Sequence, residues 1–165
     1  MPDCWFLFDK KDDVLEIHIC GEITDEHSWV FFSELRDNLP VAQINLLVNS
    51  TGGDVFTAVG LYNRLECIAR EGTPIRAVIE GICSSAASII AMAAQEIAIP
   101  EGGFMHVHYP RGDEKYVGTF SDAFQRILMK KTGRSRDEVA TLLANGTWLN
   151  GRECLWEKLA DTIVA

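Results

Sequence analysis

The chain has 165 residues, 47% of them apolar, with 15 Lys and Arg against 24 Asp and Glu and a net charge of −9. That length supports one domain with a real core, spanning residues 1–165, and is too short for two. The acidic balance excludes a nucleic-acid partner, because Lys130, Lys131, Arg134 and Arg136 are the densest basic group and offer phosphate backbones little.

The opening stretch MPDCWFLFDKKDD has no basic region ahead of an apolar one, and no apolar run reaches the ~18 residues of a membrane span. A soluble, cytoplasmic protein without a membrane partner is expected. Five cysteines, Cys4, Cys20, Cys67, Cys83 and Cys154, form an odd set with no C-x-x-C pair, which fits a reducing compartment and argues against a zinc site. No cofactor is expected.

Val14 to Cys20 alternates apolar and polar residues and reads as a half-buried strand, with His18 on its polar face. Thr24 to Asn38 reads as a helix that carries Trp29, Val30, Phe31 or Phe32, and Leu35 into the core, and Pro40 ends it. Ala42 to Asn49 reads as a second, more buried strand, followed by a polar glycine turn, STGGDV, and a helix over Val55 to Arg70. Gly72 and Pro74 break that helix before a third strand, Ile75 to Glu80, which runs through Gly81 into a helix of small residues ending at Ala94. Short strands are expected at Glu96 to Ile99 and Phe104 to Tyr109. Beyond Pro110, RGDEKYVG reads as a polar connector or gate, FSDAFQRILMKKTG as an amphipathic helix stopped by Gly133, and Ser135 and Asn150 as caps of two further helices. Strands alternating with helices imply a largely parallel sheet covered by helices.

The stretch GICSSAASIIAMAA, Gly81 to Ala94, is the likeliest seat of chemistry on residue type alone, since a strand-to-helix turn can present one hydroxyl beside unpaired backbone amides. Ser84, Ser85 and Ser88 are all candidates on this basis, with close helix packing as the competing explanation and Cys83 as a weaker nucleophile. A hydroxyl needs a base to take its proton, and His106 and His108, two apart in FMHVHYP, lie on one face of a strand. The H-x-H spacing leaves metal ligation open as an alternative. Gly52 and Gly53 allow close backbone approach and an amide for an oxyanion.

In order and spacing, NSTGGDV, GICSSAASIIAMAA, the H-x-P tripeptide of FMHVHYP and TWLNGREC with LADTI resemble the motifs of ClpP-type serine peptidases from about Leu15 to Ile163. The helix SAASIIAMAA is most similar to ClpP-like proteases of phages and prophages. The resemblance implies an α/β fold of the ClpP/crotonase-like kind, a superhelix of repeated β-β-α units with a mostly parallel sheet and a short helical handle over about residues 110–147. It implies a serine endopeptidase with Ser85 as nucleophile, four residues after Gly81, and His108 as base. Gly53 and Ala86 would supply oxyanion amides, and Gly52, Asp54 and Val55 would line an extended polypeptide substrate. A homo-oligomeric ring is implied as well.

Several positions depart from the family. Gly146 stands where the family has its third triad member, a carboxylate, which leaves Asn145 as an amide orienter and Asp113, Asp137 and Glu138 as more remote ones. The handle is short for back-to-back rings, and about a dozen residues before the first expected strand leave little for axial loops that meet an ATPase partner. A catalytically weak or silent ring or scaffold subunit is therefore the alternative. An acyl-CoA enzyme of the crotonase-like fold is a third reading, disfavoured by the Ser85 and His108 pair.

Overall fold

A computed structural model describes residues 4–112 and 114–164. The chain opens with a hairpin, β1 (Phe6–Lys11) and β2 (Val14–Ile23), joined by a two-residue turn in which Asp12 takes a positive φ of 54°. Then follow α1 (Ser28–Asn38), β3 (Gln43–Gly53), α2 (Val55–Arg70), β4 (Ile75–Ser84) and α3 (Ala86–Ala91). The second half contains β5 (Glu96–Pro100), β6 (Phe104–Val107), α4 (Glu114–Thr132), α5 (Arg136–Ala144), β7 (Thr147–Asn150), α6 (Gly151–Trp156) and β8 (Thr162–Val164).

All eight strands join one sheet, with β1 to β5 in chain order and β8 outside β5. The pairings are parallel except for the β1–β2 hairpin and the β6–β7 pair. Alternation sets the core face: Leu15, Ile17 and Ile19 of β2, Ile44, Leu46 and Val48 of β3, and Ala77 and Ile79 of β4 are fully buried, while their neighbours are half-exposed. Each of the larger aliphatics contributes about 1.5–3 kcal/mol by leaving water. α2 covers this layer with Ala58, Leu61, Leu65 and Ile68, one helical stripe, and Asp54 caps its start by accepting from the Thr57 N–H at 2.7 Å.

Several boundaries differ from the sequence expectations, each for a physical reason. The first strand starts at Phe6, because Phe6 and Phe8 turn inward onto Trp5 and Phe31. β3 continues through the glycines to Gly53 instead of turning after Asn49, since Glu22 and Ile23 of β2 still pair with Gly52 and Gly53. β4 likewise passes Gly81 to Ser84, pairing there with β6. α1 begins only at Ser28 and has Phe31 and Leu35 inside, whereas Trp29 is 73% exposed and Val30 is exposed too. α4 starts at Glu114, so most of the stretch read as a connector is helix. The capping boxes of α5 and α6 form as expected, Ser135 with Glu138 and Asn150 with Glu153.

The handle is an α4–α5 pair fastened by side chains. Arg136 donates to Asp122 and Gln125 at 2.9 Å each, and Gln125 in turn donates to the Tyr109 hydroxyl. Phe124 and Leu128 anchor α4 in the core.

Candidate active site

The sheet forks at β4. Its first half, Arg76–Val78, pairs with β5, while Ile82–Ser84 pairs with Phe104–His106 of β6. The fork places the end of β4 against β6, so Ser84 and His106, some twenty residues apart in sequence, meet across one strand pair, with Ser85 and His108 just beyond its two strands.

Ser85 is the hinge between β4 and α3, with φ 54° and ψ −124°. That region is hostile to a Cβ and costs about 1–3 kcal/mol, so the surroundings must impose it. They do so from both sides. The Ser85 N–H donates to the His106 carbonyl at 2.8 Å, and the Ser85 carbonyl accepts from the Ser88 N–H at 2.9 Å and the Ser88 hydroxyl at 2.6 Å. The third wall is Gly52: a Cβ there would lie 2.6 Å from the Ser84 carbonyl, 2.8 Å from the Ser85 Cβ and 2.9 Å from the Ala86 nitrogen. Only glycine fits, so the end of β3 presses its backbone on the serine turn. Gly53 is as constrained, with a Cβ meeting the Ile23 carbonyl at 2.1 Å, yet it is exposed on its other side.

The histidines are arranged as a stack. His106 and His108 have ring centroids 4.7 Å apart, and Trp148, opposite His106 in the β6–β7 pair, lies parallel to His106 at 4.1 Å and 6°. The Ser84 hydroxyl is 3.1 Å from His106 Nδ1, and the other side of that ring faces Gly146, whose backbone accepts a hydrogen bond from it. A carbonyl only accepts, so this network puts the proton of neutral His106 on Nε2 and lets Ser84 donate to Nδ1. Burial, and the neighbouring His108, hold the His106 pKa below its ordinary value. His108 is held differently: its Nδ1 lies 2.7 Å from the carbonyl of Tyr109. Nδ1 must donate there, which leaves Nε2 bare.

Asn145, expected as the amide orienter, ends α5 as an exposed C-cap residue and makes no side-chain hydrogen bond to either histidine. The chain turns at Gly146, with φ 58°, and a Cβ at that position would lie beside both histidines, 3.8 Å from His106 Nε2 and 3.9 Å from the His108 Cβ. Glu138 is engaged in its capping box, Asp137 is exposed in the same helical turn, and Asp113 lies outside the described residues. Cys83 is fully buried, and burial with the nearby Cys154 pushes its thiol far up, which removes it as a nucleophile. Both nitrogens of His106 are already engaged, and among the described residues no group of three or more His, Cys, Asp or Glu could hold a metal ion.

Beside the turn lies a cavity of about 260 Å³. Gly53, Asp54 and Val55 form one wall, Pro110 and Arg111 a second, and Tyr116 and Phe120 of α4 close it against Phe56. Of the residues expected to line an extended substrate, Asp54 and Val55 border a largely apolar hollow and Gly52 does not, and the Asp54 carboxylate itself is occupied in capping α2.

The sequence profile of the Clp protease family matches residues 8–165. The chain belongs to the Clp protease family. Membership makes a serine peptidase the coarse functional class, in a family that forms oligomeric rings. Among solved structures, this Clp family chain is similar to a ClpP1 mutant from Listeria monocytogenes, an asparagine-to-aspartate variant, with a TM-score of 0.81 over 90% of each chain at 20% identity. That likeness confirms the mixed α/β fold. Among the described residues no helix is long and apolar enough to cross a membrane.

The Ser84, His106 and Trp148 arrangement was missed by sequence reasoning, which treated Ser84 only as one of three candidate nucleophiles and His106 only as one of two candidate bases. The signal was present in the H-x-H spacing, but the partner strand carrying Trp148 was not legible.

Proposed function

We propose that this protein is a serine endopeptidase that cleaves polypeptides through an acyl-enzyme on Ser85. One observation carries the reading: Ser85 is forced into a positive-φ turn at the mouth of the fork, one residue beyond the end of β4, where Ser84 pairs with His106 of β6. A fold keeps such strain where geometry is needed. Ser85 Oγ gives its proton to His108 Nε2 and attacks the carbonyl carbon, and the electron pair of the C=O bond moves to oxygen. The amides of Gly53 and Ala86 hold that oxyanion. Collapse expels the amine, which takes the proton from His108. Water then loses a proton to His108, its oxygen attacks the ester, and Ser85 leaves with that proton.

The Tyr109 carbonyl takes the place of the missing acid in fixing the His108 tautomer. It supplies no full charge, so turnover is slow beside a carboxylate triad. The substrate lies extended along the end of β3, where Gly52, Gly53 and Val55 offer backbone, with one side chain in the 260 Å³ cavity. The resemblance of SAASIIAMAA supports a processing peptidase of the phage or prophage type, and family membership supports one domain assembled as a homo-oligomeric cytoplasmic ring, with only weak support for an ATPase partner.

A fluorophosphonate followed by intact mass tests this. One adduct is expected, absent in Ser85→Ala and strongly reduced in His108→Ala. A second reading, a silent ring subunit, is favoured by Gly146 in the acid position, and a wild type that stays unlabelled at high reagent would select it. Light scattering reads the ring in either case.

A further inference from the structure

We infer that His106 is a positioning residue for His108: the stack of Trp148, His106 and His108, locked by Ser84 and the Gly146 backbone, holds the base in line where no carboxylate among the described residues does. The inference rests on the peptidase reading of Ser85 and His108.

A histidine that acts as a base needs its ring plane fixed as well as its tautomer. In His108 the Tyr109 carbonyl fixes one ring nitrogen at 2.7 Å, which leaves rotation about the hydrogen-bonded edge unrestrained. The face is what His106 controls, 4.7 Å away and tilted by 31°. His106 is itself immobile, with Ser84 at Nδ1 at 3.1 Å, Gly146 beside Nε2, and the Trp148 indole flat on its far side. Turning that ring breaks two hydrogen bonds and a stack together. Gly146 fits this arrangement, since its backbone takes part beside the edge of the His106 ring.

The stack has an electrostatic consequence. When Ser85 gives up its proton, His108 becomes a cation lying against the π face of a neutral aromatic ring, and such faces attract cations. Burial first, then His108 just past the end of β6 and Arg111 after it, disfavour a charge on His106, so it remains the neutral partner. The Gly146 carbonyl acts the other way and is outweighed.

The test uses three variants of the full chain and two readouts. His106→Ala is expected to slow fluorophosphonate labelling of Ser85 by about 10- to 100-fold, the range a small misplacement of a catalytic group produces. His106→Phe, which keeps a stacking ring, should recover most of that loss even if the alanine variant folds poorly. Ser84→Ala should show a smaller slowing. For a peptide substrate the loss is expected in kcat with KM unchanged. In ¹⁵N spectra of the imidazoles, His108 should keep a protonated Nδ1 and a bare Nε2 in both proteins, because the Tyr109 carbonyl sets the tautomer, with line broadening from ring motion only in His106→Ala. A labelled wild type with His106→Ala reacting equally fast would overturn this inference alone. A wild type that never labels would overturn the peptidase reading and this inference with it.

Discussion

Two serine–histidine pairs lie one step apart in this site, and they are built for opposite ends. Ser84 and His106 sit within the β4–β6 ladder on regular strand backbone, with the hydroxyl donated and both ring nitrogens engaged. Ser85 and His108 sit just beyond the ladder, where the serine backbone is strained and the histidine keeps one nitrogen bare. On the proposed reading, a satisfied hydrogen bond marks a support and an unsatisfied nitrogen marks a reagent. A survey of serine–histidine contacts alone would choose Ser84 over Ser85.

The largest effect expected breaks the pair apart directly. Ser85→Ala should lower labelling and peptide hydrolysis by about 10⁴-fold or more, the scale at which removal of a nucleophile leaves only residual catalysis. Ser84→Ala keeps the reaction and slows it. Mass mapping of the adduct after proteolysis assigns it to one serine or the other, and an adduct on Ser84 would reverse the comparison.

Restoring a carboxylate sharpens it next. In Gly146→Asp the new Cβ stands 3.8 Å from His106 Nε2 and 3.9 Å from the His108 Cβ, so the charge lies within reach of both histidines. A carboxylate there should stabilise the His108 imidazolium and raise the labelling rate about 10-fold, with the acid limb of the pH profile moved to higher pH, as an opposite charge within a few ångströms does. The φ of 58° sets a cost, visible as a lower midpoint in urea, that an aspartate bears better than most residues. Unchanged labelling with an unchanged profile would mean that the carboxylate points away from His108.

The contrast between the pairs also explains what was legible in the sequence. Ser85 was found because the glycine-to-serine spacing resembles a family motif, and α2 because Ala58, Leu61, Leu65 and Ile68 repeat at helical spacing. β1 escaped because its hairpin turn is Asp12-Asp13, which lacks the glycine that normally announces such a turn. Trp29 was placed in the core because an aromatic on a helix reads as buried, yet its face of α1 is open. The fork of β4 is non-local: nothing in Gly81 to Ser84 says that β6 takes over pairing from β5. For that reason the third member of the site was sought at Asn145, along the chain, and not in the carbonyl of Tyr109 or the ring of His106.

Strain at Ser85 predicts a stability difference of intermediate size. Replacing it by glycine should stabilise the fold relative to Ser85→Ala by about 1–2 kcal/mol in urea unfolding, because glycine adopts the positive φ without a Cβ clash. Both variants lose the reaction. If the alanine variant were equally stable, the turn would not be a store of strain, and the argument from its geometry to function would lose its footing. Thiol accessibility gives a companion check on the same region, since Cys83 and Cys154 should resist a disulfide reagent in the folded protein while the exposed Cys20 and Cys67 react.

The smallest effect separates the two histidines by pH. His106 has its folded-state pKa below the ordinary 6.5, chiefly through burial and then through the charge of His108, with Arg111 adding and the Gly146 carbonyl opposing. The unfolded chain therefore binds this proton more readily than the folded one in the window just below pH 6.5. Stability from His106 is fully present above that value and is lost as pH falls through the window toward the lower folded pKa. Urea midpoints measured from pH 7.5 down to pH 5.5 should decline, and His106→Gln, which keeps hydrogen-bonding capacity without a titrating ring, should flatten the decline. A slope equally steep in His106→Gln would place the proton elsewhere, and the neutral member of the stack would then have to be the other ring.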